Sequence, residues 1–126
     1  VAPGLSPEAS VLNAPWVAYS ETFLGIDTGF VFVAARNLRD GSTSRCFAGG
    51  FAVPRIRFTV VKIVIQRDGD FVWSSKGLSR EIVACDPSGT RTMLDRGSGI
   101  DPESLELRGS SITWTNAGVS RFHRPG

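Results

Sequence analysis

A chain of 126 residues with a net charge of +2 has room for one hydrophobic core and lacks the charge excess of a nucleic-acid binder. Its arginines and two lysines are interspersed with twelve carboxylates, so no basic run marks a polyanion groove. No apolar stretch is long enough to be a membrane-spanning helix or the core of a signal peptide.

Val1 to Pro15 carries Pro3, Pro7 and Pro15 among small residues without periodicity, and reads as an extended Pro-rich arm, residues 1–15, ahead of one β-sandwich domain over residues 16–126. The start at Val1 instead of Met is expected from a removed leader or a trimmed chain. Turn signals then recur roughly every 8 to 12 residues between short β-prone runs, the spacing of a sandwich or barrel.

Phe30–Leu38 and Ser42–Val53 flank Asp40-Gly41, which suits a two-residue hairpin and would place Ala35 opposite Cys46 and Arg36 opposite Arg45. Opposed arginines repel, so either their ends point apart into solvent or a carboxylate or anionic ligand lies beside them. Gly49-Gly50 and Pro54 mark a bulge or a change of sheet. Ile56, Phe58 and Val60 alternate with Arg55, Arg57 and Thr59, but the phase switches beyond Val60, which predicts a bulge at Val60 and Val61. Val60 to Ile65 reads as a central strand covered on both faces.

Asp68-Gly69 predicts a second hairpin, with Ile65 opposite Val72 and Val64 opposite Trp73, and Phe71 and Trp73 on one face. Leu78–Cys85 and Thr90–Leu94 form strands on either side of an Asp86-Pro87-Ser88-Gly89 type I turn. Gly97 to Pro102 reads as a loop, and Asp101-Pro102-Glu103-Ser104 as the opening of one helical turn. Leu105–Arg108 pairs with Ile112–Thr115 across Gly109-Ser110, and Asn116-Ala117-Gly118 turns the chain into Val119–Phe122. The result is an all-β, antiparallel β-sandwich or partly closed barrel of about seven to nine strands.

Cys46 and Cys85, the only cysteines, are expected to form one disulfide. With no Asn-x-Ser/Thr acceptor and an Arg-over-Lys bias, they point to a secreted or extracytoplasmic protein, bacterial in character. No catalytic, metal or cofactor motif stands out, and no cofactor is implied. His123 is placed at the end of the chain, where fraying would ruin general-base geometry. Asp68 and Asp70 read as turn residues, although two carboxylates leave a small hydrolase as the third functional class.

The leading expectation is a non-catalytic binding module that recognises another protein, as an inhibitor, adaptor or assembly subunit. Its contacts are placed at the two hairpins, on Arg36, Arg39 and Arg45 and on Phe71 and Trp73, with the arm as a strand available to a partner's sheet. The alternative is a carbohydrate-binding module stacking sugars on Trp73 or Trp114.

Overall fold

The computed structural model describes residues 10–52 and 57–124, and every regular element among them is an antiparallel strand. Most of the expected arm, Pro54, and the Arg55–Ile56 end of the alternating run lie outside the described residues. One sheet holds β1 (Ser10–Asn13), β2 (Trp16–Leu24), β3 (Thr28–Asn37) and β4 (Thr43–Ala52) in that order. A second holds β5 (Thr59–Ile65), β6 (Phe71–Lys76), β7 (Arg80–Cys85) and β8 (Arg91–Arg96). In the third, β10 (Ser111–Asn116) lies between β9 (Ile100–Arg108) and β11 (Val119–His123).

The all-β antiparallel class and the Cys46–Cys85 disulfide expected from the sequence are both present. Among the described residues there are eleven strands in place of the expected seven to nine. The segment read as an arm supplies β1 at its end, and the stretch read as a helical turn belongs to β9.

The second sheet is central, and its alternation shows why. Ile63, Ile65, Phe71, Trp73, Val83 and Cys85 pack with Ala18, Val31, Val33, Ala35 and Cys46 of the first sheet. Their sequence neighbours Val64, Val72 and Ile82 pack with Ile100, Leu105, Ile112 and Trp114 of the third. Because successive side chains of a strand leave opposite faces, both faces of the central sheet are covered, as the aliphatic run in β5 predicts. The disulfide ties β4 to β7, and hence the first sheet to the central one, with Cα atoms 6.2 Å apart.

Register departs from expectation at two hairpins. Between β3 and β4, Arg36 pairs with Thr43, Ala34 with Arg45 and Val33 with Cys46, so Arg36 and Arg45 are not opposed. The loop is longer than two residues because side chains close it: Asn37 Oδ1 accepts from Arg39 N at 2.9 Å and Asp40 Oδ1 from Ser42 N at 2.8 Å. Between β5 and β6, Ile65 pairs with Phe71 and Val64 with Val72, one residue from the expected register. Here Gln66 N donates to Asp70 O and Gly69 N to Gln66 O, a turn followed by a bulged residue. Gly69 holds φ at 94°, and a Cβ there would lie 2.5 Å from the Trp16 ring, whose Nε1 donates to Arg67 O at 3.0 Å. Only glycine serves both the backbone and the packing at this position.

Both expected strand irregularities are present. The β5–β6 ladder shifts between Val60 and Lys62, leaving Val61 as the extra residue. The β3–β4 ladder shifts at Ala48, just before Gly49, where a Cβ would lie 2.5 Å from the Phe58 ring. The Asp101–Ser104 segment is strand and not helix. Pro102 falls where the β9–β10 ladder is interrupted, and the Ser104 hydroxyl bridges the gap by donating to Asp101 O (2.6 Å) and accepting from Thr115 N (2.8 Å).

Asp95 on β8 joins the central and third sheets. Its Oδ2 accepts from Trp114 Nε1 at 2.8 Å and Asn116 Nδ2 at 3.1 Å, and Arg121 lies 3.6 Å away. Burial pushes this carboxyl up, but the bonds from Trp114, Asn116 and the Arg96 amide, with Arg121, hold it below its usual 3.8. A depressed carboxylate stabilises the fold at pH above its unfolded value, and that contribution is lost as the pH falls through the lower folded value. Asp95→Ala is expected to cost about 2 kcal/mol at neutral pH, and Asp95→Asn to flatten the loss of stability below pH 3.8, both read by denaturant unfolding across pH.

Candidate functional site

Trp73 and Phe71, expected on the second hairpin's surface, are 0% exposed. Their rings lie 6.1 Å apart between the first and central sheets, where they form part of the core. The sequence shows their alternation but not that the first sheet covers that face. Trp114 is also buried, so neither residue proposed for sugar stacking reaches solvent.

Arg36, Arg39 and Arg45 do lie at the surface of the first sheet or its hairpin. Arg45 Nε bonds Glu21 Oε1 at 2.8 Å, so a carboxylate does sit beside it, supplied by β2 across β3. Arg36 projects from the same outer face of β3, and Arg39 sits in the loop beyond.

That outer face carries a feature the expected site omitted. With Ala18, Ser20, Thr22, Val31, Val33 and Cys46 turned inward, the alternate positions Phe23, Phe30, Phe32 and Phe47 turn outward. Register places Phe23 directly opposite Phe30 and Phe32 directly opposite Phe47. The rings touch in series: Phe23 to Phe32 at 5.7 Å, Phe32 to Phe47 at 5.5 Å and Phe47 to Phe30 at 6.3 Å. Phe30 is 51% exposed and Phe47 43%. The face is thus apolar at one end and basic at the other. A sequence signal for it exists in Phe30-Val31-Phe32-Val33, which is apolar on both faces. In β5 the same signature is answered by a sheet on each side; in β3, among the described residues, only one side is covered.

Asp68 and Asp86 serve turns. Asp68 Oδ1 accepts from Asp70 N at 2.9 Å. Asp86 Oδ1 accepts from Ser88 N, Ser88 Oγ and Thr90 N, and these bonds, led by the Ser88 hydroxyl, hold its carboxyl low. Asp70 is pushed up by burial and then by the charges of Asp68 and Asp86, with His123 opposing. Asp70, Asp86 and His123 share a small pocket of about 190 Å³. His123 is paired with Ile112 in β11, where the sequence suggested a frayed end. Among the described residues no group of three His, Cys, Asp or Glu side chains is placed to hold a metal ion, and no helix is long and apolar enough to cross a membrane.

Comparison with protein-family models, with curated proteins and with solved structures found no match to this chain.

Proposed function

We propose that the chain is an extracytoplasmic, non-catalytic binding module that recognises another protein through the outer face of its first sheet. The observation that carries this reading is the outward run of Phe23, Phe30, Phe32 and Phe47, of which Phe23, Phe30 and Phe47 are exposed. A contiguous apolar patch with a polar rim is the usual mark of an interaction surface. Arg36 and Arg39 border its other end, beside Arg45 paired with Glu21, so the partner of matching chemistry has an apolar centre and an acidic edge. The disulfide supports an oxidising compartment.

Protein fits this face better than sugar. A pyranose stacks on a flat ring, whereas neighbouring rings here are inclined by 53° to 81° and present edges as well as faces to solvent. Interlocking ridges of this kind receive side chains.

The expected effect of Phe30→Ser with Phe47→Ser is loss of at least about 2 kcal/mol of binding per residue, with stability changed by about 1 kcal/mol. Affinity capture from the extracytoplasmic fraction of the source organism, with the native chain and the double variant side by side, checks it. One discrete protein retained by the native chain and released by the variant supports the reading. Equal capture by both folded forms rejects the face.

A further inference from the structure

The end of the central sheet where β6 turns into β7 carries a charge arrangement that the protein-binding reading does not use. Lys76 on β6 and Arg80 on β7 are directly opposed, and Thr59 on β5 opposes Lys76 from the other side. Residues paired in this way project from one face of a sheet, and like charges so placed repel. Among the described residues, no ion pair involves Lys76, Arg80 or the neighbouring Arg57. These three cations, with the hydroxyl residues Thr59, Ser79 and Ser98, line a cleft of about 480 Å³ that contains no acidic side chain.

The walls of the cleft are fixed by bonds of their own. Arg80 Nη1 donates to Ile100 O at 2.9 Å, which holds the guanidinium across the gap between the central and third sheets. The loop bearing Ser98 is tied at both ends, by Gly97 N to Arg80 O at 3.0 Å and by Ala117 N to Gly99 O at 2.7 Å. Glu81, the next residue along β7, leaves the opposite face of the strand. Its Oε2 takes Arg96 Nε at 3.1 Å and Nη2 at 2.8 Å, with Ser79 Oγ at 3.4 Å, so its charge is already matched.

We infer that this cleft binds a tetrahedral oxyanion, the phosphate or sulfate group of a small ligand. A group carrying more than one negative charge and several acceptor oxygens relieves the Lys76–Arg80 repulsion and meets cations and hydroxyls together. A single carboxylate brings only one negative charge to three cations.

The test is a titration of the whole chain, followed by amide NMR, with sodium phosphate, sodium sulfate and phenyl phosphate against sodium chloride at matched ionic strength. Saturable shifts confined to Gly77, Ser79, Ser98 and their neighbours are expected with the oxyanions and not with chloride. Lys76→Gln, an exposed substitution, is expected to weaken phosphate binding about tenfold, and Arg57→Gln to do the same. Arg108→Gln, which removes a cation paired with Glu106 outside the cleft, should leave it unchanged. Tighter binding of phenyl phosphate identifies an ester as the ligand and tighter binding of inorganic phosphate a free ion; either supports the site. Shifts that follow ionic strength equally in chloride and phosphate would overturn it, as would Lys76→Gln binding phosphate like the parent.

Discussion

Trp73→Ala is expected to lower stability by about 4 kcal/mol, the range for deleting a large buried aromatic side chain, and the thermal midpoint by roughly 15 °C. The side chain is completely enclosed between the first and central sheets and touches Phe71, so its removal leaves a cavity that two rigid sheets cannot close. Arg39→Ala, in the exposed β3–β4 loop, is expected to change stability by less than about 0.5 kcal/mol. The two variants separate core from surface in a single pair of thermal scans. A Trp73→Ala protein as stable as the parent would mean that the first sheet does not cover this face of β6.

Removing the disulfide is expected to cost about as much. The bond closes a 39-residue separation, for which the chain-entropy relation gives about 4 kcal/mol. It also joins the sheet that carries the phenylalanine face to the sheet that carries the core. Denaturant unfolding of the Cys46→Ala/Cys85→Ala double variant measures the effect, with alkylation under non-reducing conditions confirming that the native chain holds no free thiol. A loss below about 1 kcal/mol would show that packing between the sheets suffices without the clamp.

Much of the architecture was legible because turn chemistry is local. Gly109-Ser110 and Ala117-Gly118 supply the positive φ that tight hairpins require, and both hairpins form where the sequence places them. Register was less legible, since it depends on whether an Asn or Asp side chain closes the loop, as Asn37 and Asp40 do, or a glycine adds a bulged residue, as Gly69 does. Asp101-Pro102-Glu103-Ser104 carries the residues of a helix start, and Asp101 Oδ1 does accept from Glu103 N at 3.1 Å. Pairing of the flanking residues with β10 prevails over that local preference.

The candidate site was the least legible part, for a reason that lies in the sheet order. Alternation puts Phe71 and Trp73 on one face of their strand, but it does not show which neighbour covers each face. The outward phenylalanines of β3 have the same local pattern as the buried residues of β5. What distinguishes them is the third sheet, which packs on the central sheet, so that among the described residues nothing covers the first sheet's outer face. That third sheet is built from Ile100 to His123, so nothing in the sequence around these phenylalanines reports which sheet it will cover.

The most direct test of the proposed binding face is photo-cross-linking from a benzoylphenylalanine placed at position 47 and, separately, at position 113 on the outer side of the third sheet. Both sites accept a surface side chain, and both variants can be exposed to the same extracytoplasmic fraction. A discrete protein adduct from position 47, absent from position 113 and lost when Phe30→Ser is added, is the predicted result. Adducts from position 113 with none from position 47 would contradict it and place recognition on the third sheet.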